Sequence, residues 1–334
     1  MDKSRNSRER LRAVWMTSGE FPDLIERQLQ EGNRGFDLRV VSSREEALAA
    51  VKDGASVLVG EDPGPEILDR EELRHLIVPW AGVAPDLRKA MLERTHLTLA
   101  NSHFNASFVA QHAVAMLLAC SNRLLEAHEA LRDGDWGEQG NKGSLFSLDL
   151  HGKRALLLGY GAIGKEIERR LEGFGMEIYA VRRSPQGERE YGMDDLPRAL
   201  REAHAIMVSL PLTPETKGLL GREMLATVRD DAILVNVGRG PVIDQWALYE
   251  ALRDRRLAGA GLDVWWNYPE GERDRRSTLP ADAPFWELPN VLLSPHRADV
   301  VGEWREAVVA DVLLSLEAYA RGEVRNRVDP DLGY

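Results

Sequence analysis

The sequence predicts an α/β chain with two doubly wound parallel-sheet domains. Three observations carry this: two blocks in which apolar runs alternate with helix-period patterns, a long apolar helix between them, and a length of 334 residues that suits about two domains. In the first block the strands read as Arg12–Met16, Leu38–Val41, Ala55–Val59, Leu76–Val78 and Leu97–Leu99, with helices at Phe21–Gln30 and Arg44–Lys52. Strands that alternate with helices imply βαβ units and a parallel sheet. Ser107–Arg132 reads as one long helix, apolar at Val109, Ala113, Val114, Met116, Leu117, Leu118 and Cys120. Such a helix is expected to be buried between domains, with Cys120 a packed core thiol. Gly134–Ser147 reads as a surface loop. The second block places strands at Arg154–Leu158, Glu177–Val181, Ala205–Ser209, Ala232–Val237, Gly259–Val264 and Val291–Ser294. A helix over Arg305–Tyr319 and a polar tail over Asp329–Tyr334 close the chain.

Composition narrows the function. Lys plus Arg number 43 against 54 Asp plus Glu, a formal net charge of −11. That balance weighs against nucleic acid as a partner, which needs a basic footprint, and against an anionic membrane surface. Cys120 is the one cysteine, which excludes an intrachain disulfide and a Cys-rich metal site; no metal is expected. The chain has no apolar run of the ~20 residues that a membrane span needs. Met1–Arg12 is charged and lacks the apolar core of a signal peptide. The expectation is a soluble, cytoplasmic protein.

The first chemical motif is Gly159-Tyr160-Gly161-Ala162-Ile163-Gly164, directly after the strand Leu156–Leu158 and before a helix with Ile167, Leu171 and Phe174 on one face. Alone, G-x-G-x-x-G is weak evidence; between a strand and a helix it becomes a dinucleotide fingerprint. Gly159 permits the turn, Gly161 lets a pyrophosphate approach, and Gly164 lets the helix pack on the strand. The helix N-terminus, from Ala162 and Ile163, offers free N–H groups and partial positive charge. The next strand ends Arg182-Arg183-Ser184, 18 residues after Gly164, where an NAD site normally carries an acid for the ribose hydroxyl. Guanidinium groups there suit a 2′-phosphate. The expectation is NADP(H) preferred, with NAD(H) possible if both arginines are solvated charges.

With these motifs the chain resembles the D-isomer-specific 2-hydroxyacid dehydrogenases. The resemblance rests on the glycine turn, Leu210-Pro211-Leu212-Thr213-Pro214-Glu215-Thr216, Asn236-Val237-Gly238-Arg239-Gly240, Gly261-Leu262-Asp263-Val264 and Ser294-Pro295-His296, in that order, and is dense from Trp80 to His296. It implies a Rossmann cofactor domain (105–297) inserted into a flavodoxin-like substrate domain (1–104 plus 298–334). It also implies a reaction between a 2-oxo acid and its D-2-hydroxy acid. Arg239 matches the family arginine that holds the substrate carboxylate and keto oxygen, a bidentate role suited to a guanidinium. His296 matches the acid/base. Asp263 matches an aspartate near the nicotinamide end of the cofactor. Cofactor contacts are further implied for Leu210, Pro211, Val237, Gly238, Arg239, His296 and Ala298. Substrate contacts are implied for Ala81-Gly82-Val83 through backbone N–H groups and for Asn105. Ala81–Val83 is equally a plain turn, and Asn105 equally a helix N-cap. Homodimers are usual in the family.

Two departures stand out. Tyr268, before Pro269, occupies the position of the family Glu that holds the catalytic His. Tyr268 orients a neutral His with a lower pH optimum, or Glu270 or Asp299 reaches His296 instead, or turnover is weak and the protein mainly binds nucleotide. After the His, Arg297-Ala298-Asp299 replaces small residues. Arg297 either enters the site, favouring an acidic substrate, or faces solvent. Of Trp265 and Trp266, one is expected in the core and the other along the substrate pocket.

The leading expectation is an NADPH-dependent reductase of the glyoxylate/hydroxypyruvate type. The competing ones are a formate- or phosphite-type dehydrogenase, supported by Asn105 but lacking the formate enzyme's Gln at Tyr268, and a nucleotide-binding sensor or corepressor with little turnover.

Overall fold

The computed structural model describes residues 10–30, 34–136 and 146–332. Parts of the expected Gly134–Ser147 loop and of the C-terminal tail lie outside them. The contacts divide the chain into one unit of residues 1–105 with 301–334 and a second unit of residues 106–300.

In the first unit the order is β1 (Leu11–Met16), α1 (Phe21–Leu29), β2 (Phe36–Val41), α2 (Arg44–Lys52), β3 (Val57–Val59), α3 (Pro65–Leu68), β4 (His75–Val78), α4 (Pro85–Leu92) and β5 (Thr98–Asn101). The five strands form a parallel sheet in the order β2-β1-β3-β4-β5, the flavodoxin-like arrangement. Side chains along each strand alternate between two cores. Val14, Leu58, Leu76 and Val78 pack with α2, α3 and α4, whereas Ala13, Trp15, Val57, Val59 and Ile77 face the opposite side. The start of α2 follows from local chemistry: Ser43 accepts the Glu46 N–H at 3.2 Å and Glu46 reaches back to the Ser42 N–H at 2.9 Å.

The second unit opens with α5 (Ala106–Ser121) and α6 (Leu124–Arg132). The single helix expected over Ser107–Arg132 is broken here. Arg123 is left-handed at φ 51°, and the two pieces are bent by 62°. Ser121 Oγ and Asn122 Nδ2 both donate to the Leu118 carbonyl, which also accepts the Asn122 N–H at 3.1 Å, so side-chain bonds join the last helical bond at the end of α5. α5 packs on the strands and helix of its own unit, and Cys120 is partly buried there, its thiol pushed up to about 12 by burial.

The chain continues through β6 (Arg154–Leu158), α7 (Ala162–Glu172), β7 (Glu177–Val181), β8 (Glu190–Tyr191), α8 (Leu196–Glu202), β9 (Ala205–Val208), α9 (Arg222–Leu225), β10 (Ile233–Asn236), α10 (Gln245–Arg253), β11 (Gly259–Leu262) and β12 (Val291–Leu293). All seven strands are parallel, ordered β12-β11-β10-β9-β6-β7-β8. This is the Rossmann order with a seventh strand. Two-residue β8 lies outside the six expected strands because it is too short to show a period. The expected apolar face of α7 is also shortened: the helix stops at Glu172, and Phe174 lies beyond it, exposed. The order reverses between β6 and β9, and doubly wound sheets bind ligands at the carboxyl ends of strands beside such a reversal.

The chain then returns to the first unit with α11 (Trp304–Ala320), whose Val308, Val309, Val312, Leu313 and Leu316 cover the β1 face also packed by α1. Among the described residues no single helix is long and apolar enough to cross a membrane.

One buried group gives the first unit a measurable pH signature. His75 on β4 stacks on Tyr319 at 4.3 Å with Nδ1 2.7 Å from Thr98 Oγ1, and burial pushes its pKa down from 6.5 to about 4. Below pH 6.5 the unfolded chain takes a proton that the folded one refuses. Stability therefore falls as pH drops through this window, by about 3 kcal/mol in total at pH 4. Urea midpoints measured across that range are expected to decline in the wild type and to flatten in His75→Phe. An equally steep decline in His75→Phe would contradict the assignment.

Candidate active site

The parallel strands of the second unit deliver the candidate residues to one edge of its sheet. Gly159–Gly164 follows β6, Arg182 follows β7, Leu210 and Pro211 follow β9, Val237–Arg239 follow β10, Asp263 follows β11, and His296 follows β12. Residues up to 137 positions apart in sequence are neighbours along this edge because every strand runs the same way.

The glycine turn fits a dinucleotide. A Cβ on Gly164 would sit 2.2 Å from the Gly159 carbonyl oxygen, so only glycine lets α7 start this close to β6. Around Gly161 a Cβ would meet nothing within 4 Å, which leaves space above the turn. α7 has no side-chain cap, so its first N–H groups point at that space. Ser209 Oγ donates to the Gly159 carbonyl at 3.0 Å and ties the turn to the next strand end.

At the tip of β7 a carboxylate does stand beside Arg182, contrary to the linear reading. Glu190 on β8 accepts from Arg182 at 2.7 Å and also holds the Gln186 N–H at 2.6 Å; the arginine pulls its carboxyl below the usual range. The Arg182 guanidinium also lies 5.6 Å from the centre of the Tyr160 ring. Sequence spacing missed Glu190 because it comes eight residues later, on the short β8.

Arg239 stands on an extended backbone after β10 and is exposed. Its turn is held by buried Asn236, whose Oδ1 accepts the Gly238 N–H at 3.0 Å and whose Nδ2 donates to the Arg239 carbonyl at 3.1 Å. A Cβ on Gly240 would fall 2.3 Å from the Trp265 carbonyl oxygen, so glycine seats the Arg239 turn against the segment that follows β11.

His296 is exposed and left-handed at φ 51°, in a loop anchored on both sides. The Asp263 carboxylate, 1% exposed, accepts Ser294 Oγ–H, the Arg297 N–H at 2.9 Å and the Ala298 N–H at 3.0 Å. Trp265 Nε1 donates to the Ser294 carbonyl at 2.8 Å, and the His296 N–H donates to the same oxygen at 3.0 Å. Strain at a non-glycine left-handed residue persists only where its surroundings impose it; here Asp263 and Trp265 do so. The side chain beside the imidazole is Tyr268, ring centres 5.5 Å apart. The Tyr268 hydroxyl oxygen accepts the Trp265 N–H at 3.1 Å. Partial burial raises the phenol's pKa, against the Trp265 bond and the Arg239 charge, which lower it.

Of the two tryptophans, Trp265 is the one in the core, buried and serving the loop, while Trp266 is part-buried, stacks on Phe285 at 5.4 Å and donates Nε1 to the Ile243 carbonyl at 2.9 Å. Arg297 is exposed, its backbone given to Asp263. Ala81, Gly82 and Val83 lie after β4 and Asn105 precedes α5, all in the first unit; the Ala81 carbonyl accepts Asn101 Nδ2 at 2.6 Å. No group of three or more His, Cys, Asp or Glu suited to a metal occurs among the described residues.

Comparison with known proteins gives the site a context. The family profile described as D-isomer specific 2-hydroxyacid dehydrogenase, NAD binding domain, matches residues 114–298. The chain is 37% identical over 219 residues to a glyoxylate reductase of Korarchaeum cryptofilum (strain OPF8), covering 64% of this chain and 63% of that enzyme, less than two thirds of its length. Against a glyoxylate/hydroxypyruvate reductase B of Enterobacter agglomerans the identity is 36% over 230 residues, covering 67% of this chain and 68% of the relative. Among solved structures, an NADPH-dependent glyoxylate/hydroxypyruvate reductase from Sinorhizobium meliloti, in complex with NADP and malonate, superposes with a TM-score of 0.65 at 27% identity, covering 97% of this chain and 98% of that one.

The Asp263 anchor is open to direct measurement. Asp263→Asn turns an amide N–H₂ toward backbone N–H donors and leaves one of them unpaired. The expected cost is about 1–3 kcal/mol, read from urea unfolding at neutral pH. An unchanged midpoint would show that the carboxylate does not hold the loop.

Proposed function

The chain belongs to the D-isomer specific 2-hydroxyacid dehydrogenase family, and from that premise we propose that it reduces a small 2-oxo acid to the D-2-hydroxy acid with NADPH. The observation that carries the proposal is the convergence of Arg239, His296 and the glycine turn on one sheet edge, with His296 held out on an anchored loop. Names of relatives that reduce glyoxylate and hydroxypyruvate support a substrate of that size.

The residues divide the work. The N–H groups at the start of α7 and the open turn at Gly161 hold the pyrophosphate. Bound there, the nicotinamide supplies the hydride. Arg239 pairs with the substrate carboxylate and draws electron density from the 2-oxo group, which a permanently charged planar guanidinium does well. His296 donates a proton to the oxygen that becomes the hydroxyl. Tyr268 packs against the imidazole and adds no charge to it, since a phenol at neutral pH is uncharged. Asp263 acts on the reaction through the backbone of the His296 loop.

NADP preference rests on Arg182 at the tip of β7, with Arg183 and Ser184 following. Glu190 moderates that preference by occupying one edge of the guanidinium. Self-association as a homodimer is supported by Leu124, Leu125 and Leu131, which α6 leaves exposed.

The test is a panel of glyoxylate, hydroxypyruvate and larger 2-oxo acids with both cofactors, followed by loss of NADPH absorbance. His296→Asn is expected to lower kcat by about 10²–10⁴-fold. The ratio of kcat/KM for NADPH over NADH is expected above one in the wild type, higher in Glu190→Gln and inverted in Arg182→Asp. Cofactor binding without turnover on any acid would favour a nucleotide sensor instead, and wild-type preference for NADH would overturn the NADP assignment.

A further inference from the structure

We propose that His112, on the second turn of α5, is a positioning residue that fixes the loop carrying His296. This deepens the reductase reading and rests on it for its kinetic consequences. His112 Nε2 lies 2.9 Å from Ser294 Oγ and 3.5 Å from the Asp263 carboxylate. It is partly buried, at 27% side-chain exposure.

Proton counting fixes the direction of the bonds. The Asp263 carboxylate already takes the Arg297 and Ala298 N–H groups, one on each oxygen, so it acts as an acceptor. Ser294 therefore gives its one hydroxyl proton to Asp263 Oδ1. Toward His112 that hydroxyl presents only lone pairs, and His112 Nε2 must carry the hydrogen. The relay His112 Nε2–H to Ser294 Oγ–H to Asp263 runs one way, and it polarises the serine proton toward the carboxylate. The result ties three elements together: α5 through His112, the end of β11 through Asp263, and the loop after β12 through Ser294.

The loop needs that third tie. Ser294 precedes His296 by two residues, and Arg297 and Ala298 follow directly, so the left-handed His296 is suspended between anchors that all converge on Asp263. Without the His112 N–H the Ser294 hydroxyl keeps its bond to Asp263 but loses the partner on its oxygen, and the N-terminal anchor of the loop loosens. The imidazole then samples directions away from the reacting oxygen. Small misplacements of a catalytic group carry large rate costs.

The experiment compares His112→Asn, whose shorter amide stops short of Ser294, with His112→Gln, whose amide nitrogen reaches the same place, and with Ser294→Ala alone and combined with His112→Asn. Each is measured for kcat and KM with glyoxylate and NADPH, for NADPH affinity by fluorescence titration, and for the imidazole resonances by NMR, with the His296 signal identified by its loss in His296→Asn. The expected result is a fall in kcat on the order of 10-fold in His112→Asn, with NADPH affinity unchanged, recovery in His112→Gln, and no further loss when His112→Asn is added to Ser294→Ala. The His296 signal is expected to shift in His112→Asn and return in His112→Gln. The proposal is overturned by an unshifted His296 signal, by a Gln variant as slow as the Asn variant, or by losses that multiply in the double variant. If the wild type reduces none of the acids, the reductase reading fails while the NMR comparison still decides whether His112 positions His296.

Discussion

The buried carboxylate of Asp263 is the constraint on which the site depends. A carboxylate that is 1% exposed is tolerable only when its lone pairs are filled. Here they are filled by the backbone and the serine of a loop more than thirty residues away in sequence. The same bonds that satisfy the charge set the course of the chain through His296. Electrostatic necessity in the core and aim of an exposed imidazole are thus one arrangement seen from two sides. Trp265 joins it from the next turn, with its indole on the Ser294 carbonyl and its N–H on the Tyr268 hydroxyl oxygen.

Above that anchor, sheet topology does the rest. Parallel strands bring every strand exit to one edge, and the reversal of order between β6 and β9 opens the place where α7 can begin with its N–H groups unclaimed. Glycines at 164 and 240 then serve proximity, since a Cβ at either would strike a carbonyl oxygen. Arg239, between buried Gly238 and Gly240, and His296 are both exposed at this edge.

Much of this was legible in the chain. Apolar runs of three to six residues with turn signals between them marked every strand of both sheets except β8, and the glycine turn announced the start of α7 by its place between a strand and a helix. What stayed illegible has a physical reason in each case. The break falls where one residue, Arg123, turns left-handed, which periodicity does not register. Glu190 beside Arg182 depends on a two-residue strand. The role of Asp263 as the loop's anchor and the meeting of His112 with Ser294 are contacts across 31 to 182 residues, and no local pattern encodes them. Tyr268 was visible as a departure from the acid found in similar chains, but only the fold shows that its hydroxyl serves the Trp265 backbone while its ring lies against His296.

The most direct measurement of the central claim, that the anchored loop aims His296 at the carbonyl that Arg239 polarises, is a crystal structure with NADPH and oxamate, an unreactive mimic of a 2-oxo acid. The account predicts both the His296 imidazole and the Arg239 guanidinium in hydrogen-bond contact with the 2-oxo oxygen, with the Asp263 bonds to the loop intact. An oxamate oxygen that meets neither side chain, or a loop released from Asp263 in the complex, would contradict it.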